Sequence, residues 1–131
     1  MKKTLTIALS LALCACTPAK TSPQQHARHY IFATSHDSDP QFRMLVADSI
    51  KNAVPMFDYF YQLGKEDKQA GKDRATADQR IAYFHSDEFL TKAGRTSQFI
   101  NHTYQEGRDK RNEQIFVQEI TGAYWDGYEG R

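Results

Sequence analysis

Between Phe42 and Phe57 the apolar side chains are Phe42, Leu45, Val46, Ile50, Ala53, Val54 and Phe57. Steps of three and four keep them on one side of a helix, so this stretch predicts an amphipathic helix with one buried face. Asp39–Pro40 supplies a start signal, since Asp offers a capping acceptor and Pro tolerates the first helical position. Pro55 lacks the amide that would reach the carbonyl four residues earlier, which predicts a kink near Asn52 to Val54. The helix then continues through Met56, Phe57, Phe60, Tyr61 and Leu63.

The rest of the chain repeats the helical theme. Lys65 to Arg74 carries mixed charge and reads as a solvated last turn plus loop. Thr76 to Gln79 forms a capping-box pattern leading into Ile81, Tyr83 and Phe84. Ser86–Asp87–Glu88 can cap a short helix through Phe89 and Leu90, closed by Gly94. Thr96–Ser97 opens another, with Phe99, Ile100, Thr103 and Tyr104 facing inward. A final helix runs from about Arg111, with Phe116, Ile120, Ala123 and Tyr124 on one side, and frays from Gly127 to Arg131. No proline follows Pro55. The expected fold is mainly α: a small bundle of three to five helices, its first long helix kinked at Pro55. The one non-helical candidate is His29 to Thr34, rich in aromatic and β-branched residues, which reads as a short extended segment.

The N-terminus reads as an address. Lys2 and Lys3 precede a brief apolar run from Leu5 to Leu13, right for a signal peptide and too short to span a bilayer. The run ends in Leu13–Cys14–Ala15–Cys16, which resembles a bacterial lipobox. Cys16 fits as the acceptor because small Ala15 precedes it, whereas Cys14 would place Leu13 at the cut. The resemblance to lipoprotein precursors implies a diacylglyceryl group on the Cys16 thiol, cleavage between Ala15 and Cys16, and acylation of the new amine. In that class Thr17, being other than Asp, permits transfer to the outer membrane, facing the periplasm. Several acyl chains hold firmly, at about 0.8 kcal/mol per buried CH2, where a single chain is marginal. An ordinary secretory signal cut near Ala15, or an uncleaved hydrophobic segment, is the plainer alternative. Residues 1–15 are therefore expected as leader and 16–27 as lipidated Cys plus flexible tether, since residues 17–26 hold no large apolar side chain. Residues 28–131 form the single helical domain.

Composition narrows the function classes. The 131 residues carry 17 Lys+Arg against 16 Asp+Glu, and loss of the leader with Lys2 and Lys3 leaves a mature chain at −1. Neither balance offers a basic excess for nucleic acid. Cys14 leaves with the leader and Cys16 is alkylated, so no disulfide, thiol nucleophile or Cys-based metal site is expected. His26, His29 and His36 have no supporting carboxylate before Asp37 and begin in the expected tether, so they read as surface histidines, and His85 and His102 as residues near helix ends, so no metal is expected. His85, Ser86 and Asp87 name the parts of a hydrolase, but a triad is defined by spatial geometry and no nucleophile, metal or phosphate motif accompanies them. The chain is expected to be no enzyme, with no cofactor beyond the covalent lipid and no small-molecule substrate.

A weak echo joins Tyr61–Gly64, Tyr104–Gly107 and Tyr124–Gly127, each an aromatic followed three positions on by glycine. It reads as three helix endings, the ring packing on the last turn and glycine taking the left-handed cap. Internal duplication is the other reading, against which the unequal spacings of 43 and 20 residues speak.

Asp37 to Phe42, Val54 to Tyr61, Tyr83 to Asp87 and Tyr124 to Arg131 together resemble small enterobacterial lipoproteins grouped with the second exclusion protein of colicin-type plasmids. The likeness runs from about Arg28 to the end. It implies a role in plasmid exclusion, by which a cell already holding a plasmid resists receiving a related one. It carries no catalytic or ligand-binding residues.

The 7 Tyr, 8 Phe and 1 Trp all lie between Tyr30 and Tyr128, several as neighbours. Adjacent residues on a helix point about 100° apart, so not every ring can enter one core. Tyr59, Tyr83, Trp125 and Tyr128 are the candidate exposed rings for binding a partner, an envelope or conjugation-apparatus protein. The plainer reading is a small core whose surplus rings lie over its edge. The sequence thus predicts a lipid-anchored helical domain acting by contact; a structural envelope lipoprotein without a role in DNA transfer is the alternative.

Overall fold

The computed structural model describes residues 20–35, 42–96 and 110–131. They form α1 (Ser22–Thr34), α2 (Phe42–Gln69), α3 (Arg74–Phe84), α4 (Asp87–Thr96) and α5 (Lys110–Glu129). Among the described residues there is no strand. The start signal at Asp39–Pro40, the expected helix from Ser97 through Phe99 to Tyr104, and His36 and His102 lie outside them, while Thr96, expected to open that helix, is the last residue of α4.

The N-terminal expectation needs correction. Ser22 to Thr34 is one helix, so His29 to Thr34 is not extended and the tether cannot reach residue 27. Pro23 stands in the first turn, where its missing amide costs nothing, and the Thr21 amide donates to Gln24 Oε1 at 3.1 Å. The buried stripe is narrow: Pro23 and Ala27, then the half-buried Tyr30 and Ile31. Small and polar residues fill the rest, so the segment read as linker by composition. It is helical because α2 and α5 supply the surface it lies on.

α2 continues helically through Pro55, which is exposed, so the turn that loses its amide faces solvent. Its inner face, Ala53, Phe57 and Phe60, is buried. The helix also outlasts the expected end near Leu63. It runs to Gln69 and closes with Gly71 at φ 74°, the Gly71 amide bonding to Lys68 O and the Lys72 amide to Asp67 O. That pair of bonds is a Schellman motif, and only glycine takes its left-handed position without strain.

The cap of α3 is Asp73, three residues before the expected Thr76. Its carboxylate accepts from the Thr76 amide at 2.9 Å and the Thr76 hydroxyl at 2.7 Å. Ser86 caps α4 as expected, accepting from the Phe89 amide at 3.2 Å, and α4 passes through Gly94 instead of ending there. α5 does not fray at Gly127: Gly127 and Tyr128 are buried within it.

α1, α2 and α5 pack mutually, with α3 and α4 over one side of α2 and α5. Ser22 meets Asp126, His26 meets Glu119 and Tyr30 meets Phe116, so α1 and α5 run in opposite directions. Phe57, Ile120 and Tyr124 are the largest fully buried side chains. Each is worth about 1.5–3 kcal/mol of apolar burial.

Candidate functional site

The echo of tyrosine and glycine is a helix crossing, not a set of helix endings. Gly64 lies against the Tyr124 carbonyl, and Gly127 against the Tyr61 carbonyl. Each motif's glycine meets the other motif's tyrosine backbone. A methyl group at either glycine would overlap main-chain atoms, which have nowhere to move. The third copy, Tyr104–Gly107, lies outside the described residues.

Beside this crossing sits a buried carboxylate. Asp67 is 4% exposed. It accepts from Lys72 Nζ at 2.7 Å, from Arg80 Nε at 2.5 Å and Nη2 at 3.2 Å, and from the Tyr124 hydroxyl at 2.9 Å. One side chain thereby ties together α2, the α2–α3 turn, α3 and α5. Burial acts to raise its pKa, but the hydrogen bonds from Lys72, Arg80 and Tyr124 prevail and hold it below the ordinary carboxylate value. Burial, then the Asp67 carboxylate, raises the pKa of Tyr124, so its hydroxyl remains a donor.

This arrangement divides the four aromatic candidates. Tyr128 is only 6% exposed, and its hydroxyl donates to Lys72 O at 2.7 Å. It is part of the fold, which corrects the expectation of an exposed ring. Trp125 is half-buried, its ring edge-on to Tyr128 and covered by the Arg74 guanidinium at 3.9 Å. Tyr59 and Tyr83 are the exposed pair, at 63% and 40%.

Tyr59 and Tyr83 stand at the edge of one aromatic cluster. Tyr59 packs edge-on to Phe60 at 5.2 Å, and Tyr83 edge-on to Phe89 at 5.6 Å. Phe60, Phe84 and Phe89 contact one another behind them, at 5.2 to 6.2 Å between centroids. Both rings are therefore held from one side and open on the other, so docking them costs little side-chain entropy. Across α4, the Glu88 carboxylate bonds Lys92, and it, with Tyr83, raises the pKa of that ammonium.

Ala15 and Cys16, the cleavage and lipidation residues, lie outside the described residues. His26 is not a tether histidine: its ring rests on Gly122, with Nδ1 2.7 Å from Glu119 Oε2 and Nε2 3.3 Å from Asp126 Oδ2. The two carboxylates meet opposite ring nitrogens and so do not converge on a common point. Among the described residues no group of His, Cys, Asp and Glu could hold a metal ion, and no helix is long and apolar enough to cross a membrane. His85 ends α3, while the Ser86 hydroxyl is engaged by the Tyr83 carbonyl and the Phe89 amide.

Sequence reasoning missed Asp67, His26 and the two glycines of the crossing. Asp67 had a signal: Phe57, Phe60, Gly64 and Asp67 follow one another in steps of three and four, on one helix face. His26 had none, because its carboxylate partners lie 93 and 100 residues away. No protein-family model, curated protein or solved structure matches the chain.

Proposed function

We propose that the chain is a membrane-anchored bacterial lipoprotein that acts by contact, not catalysis, in the exclusion of incoming plasmids. The observation that carries this reading is the run Leu13–Cys14–Ala15–Cys16 after a short cationic and apolar leader. A lipid on Cys16 confines the domain to a membrane surface, most simply the periplasmic face of the outer membrane, and raises its effective concentration near envelope partners. The likeness to exclusion lipoproteins supplies the role. Tyr59 and Tyr83 supply the surface, because exposed rings braced by a buried cluster are suited to a partner's apolar patch. The partner is an envelope or conjugation-apparatus protein. Neither nucleic acid nor a small-molecule substrate has a place in the mechanism.

Recipient cells expressing the chain test it. They should take up a related plasmid less often than cells without it, and Tyr59→Ala with Tyr83→Ala should remove most of that protection while leaving helicity and cellular abundance unchanged. Full exclusion in the folded double variant overturns the aromatic surface. The alternative is a structural envelope lipoprotein: deletion would then alter permeability in plasmid-free cells and leave plasmid uptake untouched.

A further inference from the structure

A groove of about 490 Å³ opens between α1 and the N-terminal half of α2, on the flank away from the Asp67 network. Its apolar part is Ile50, Val54 and Pro55, and its charged residues are Lys20, Arg28 and Lys51, all exposed. Among the described residues no carboxylate lines it. Asp48 and Asp58 lie within a turn on α2, outside the lining. The bias continues in sequence: the first acidic residue of the whole chain is Asp37. The charged side chains that line the groove are thus all basic, in a protein whose total charge is nearly balanced.

Two further observations point to what fills it. Lys20 is four residues from Cys16, a span of at most about 14 Å when extended, so an anchored chain holds this groove within reach of the bilayer surface. Next to the groove, Arg28 lies over the Phe32 ring at 4.7 Å, and Phe32 is 44% exposed. Basic side chains beside exposed apolar ones are the composition of a surface that sits at the headgroup layer.

We propose that this groove docks on anionic phospholipid headgroups of the membrane in which Cys16 is anchored. Lys20, Arg28 and Lys51 meet the phosphates, while Ile50, Val54 and Phe32 meet the upper acyl region. Docking fixes the α1–α2 face on the bilayer, so that the domain is held in one orientation instead of swinging on its tether. The proposal rests on the lipoprotein reading above and adds an orientation to it.

The test uses the full chain, purified from membranes and reconstituted into vesicles of phosphatidylcholine alone or of equal parts phosphatidylcholine and phosphatidylglycerol. Flotation reports the anchor. A water-soluble amine-reactive ester, followed by mass spectrometry, then reports how exposed each lysine is. Lys20 and Lys51 should label roughly fivefold more slowly on the anionic vesicles, about the effect of one basic residue at such a surface, with Lys65 unchanged. High salt should remove the protection. Arg28→Glu with Lys51→Glu, both exposed sites, should still float and should lose the protection of Lys20. Equal labelling on the two vesicle types overturns the groove proposal while leaving the anchor intact. Failure to float overturns the anchor and, with it, this proposal.

Discussion

Around Gly64, α2 lies so close to α5 that neither helix has room for a methyl group. Around Lys51, 13 residues earlier and about 20 Å along the same helix, α2 borders an open groove rimmed by charge. The close end uses backbone contact, a fully buried tyrosine and a carboxylate shared by two cations and a hydroxyl. The open end has long side chains whose charges face solvent. One helix thus performs two tasks: its C-terminal half fixes the fold, and its N-terminal half leaves a surface free. Residues of similar type take different roles accordingly. Lys72 is bound to Asp67, whereas Lys51 lines the groove.

The sharpest way to break the contrast is to crowd the close end. Gly64→Ala or Gly127→Ala should destabilise by about 3 kcal/mol, read as a fall in the urea midpoint, because the added methyl meets main-chain atoms. Gly94→Ala is the control, since its added methyl meets nothing within 4 Å and should slightly stabilise α4. Equal effects at Gly64 and Gly94 would show that the α2–α5 crossing is looser than described.

A second effect concerns Asp67, and its sign follows from the lowered folded pKa. A depressed carboxylate contributes stability that is present above its unfolded value, near 3.9, and is lost as pH falls through the folded value. Asp67→Asn should cost about 2–3 kcal/mol at neutral pH, less than a wholly buried pair because Lys72 and Arg80 reach partly into solvent. It should also flatten the loss of stability below pH 4. Urea titrations at several pH values check both, and an unchanged acid slope would remove Asp67 from the account. The smallest effect belongs to the open end. Lys51→Ala should change stability by no more than about 0.5 kcal/mol, and a larger loss would mean that the groove is part of the core.

Helices were legible wherever their apolar residues were large and their caps local. α2 announced itself through Phe42 to Phe57, α4 through Ser86, and α5 through Phe116, Ile120, Ala123 and Tyr124. α1 was hidden because its buried stripe is made of Pro23 and Ala27, residues that composition assigns to a linker. The Tyr-to-Gly echo was visible in the sequence, but its meaning was not. Glycine three positions after an aromatic suits a helix cap as well as a helix crossing, and only the partner strip on α5 decides. The aromatic candidates show the same limit. Periodicity limits how many rings can be buried but not which, and it took Lys72 O to bury Tyr128 and Arg74 to cover Trp125.

The proposed function and the orientation at the bilayer both depend on a lipid at Cys16. Cells grown with labelled palmitate and expressing either the wild-type chain or Cys16→Ser measure it directly. The account predicts label in the wild-type protein and none in the variant; equal labelling of the two, or none in either, would contradict it.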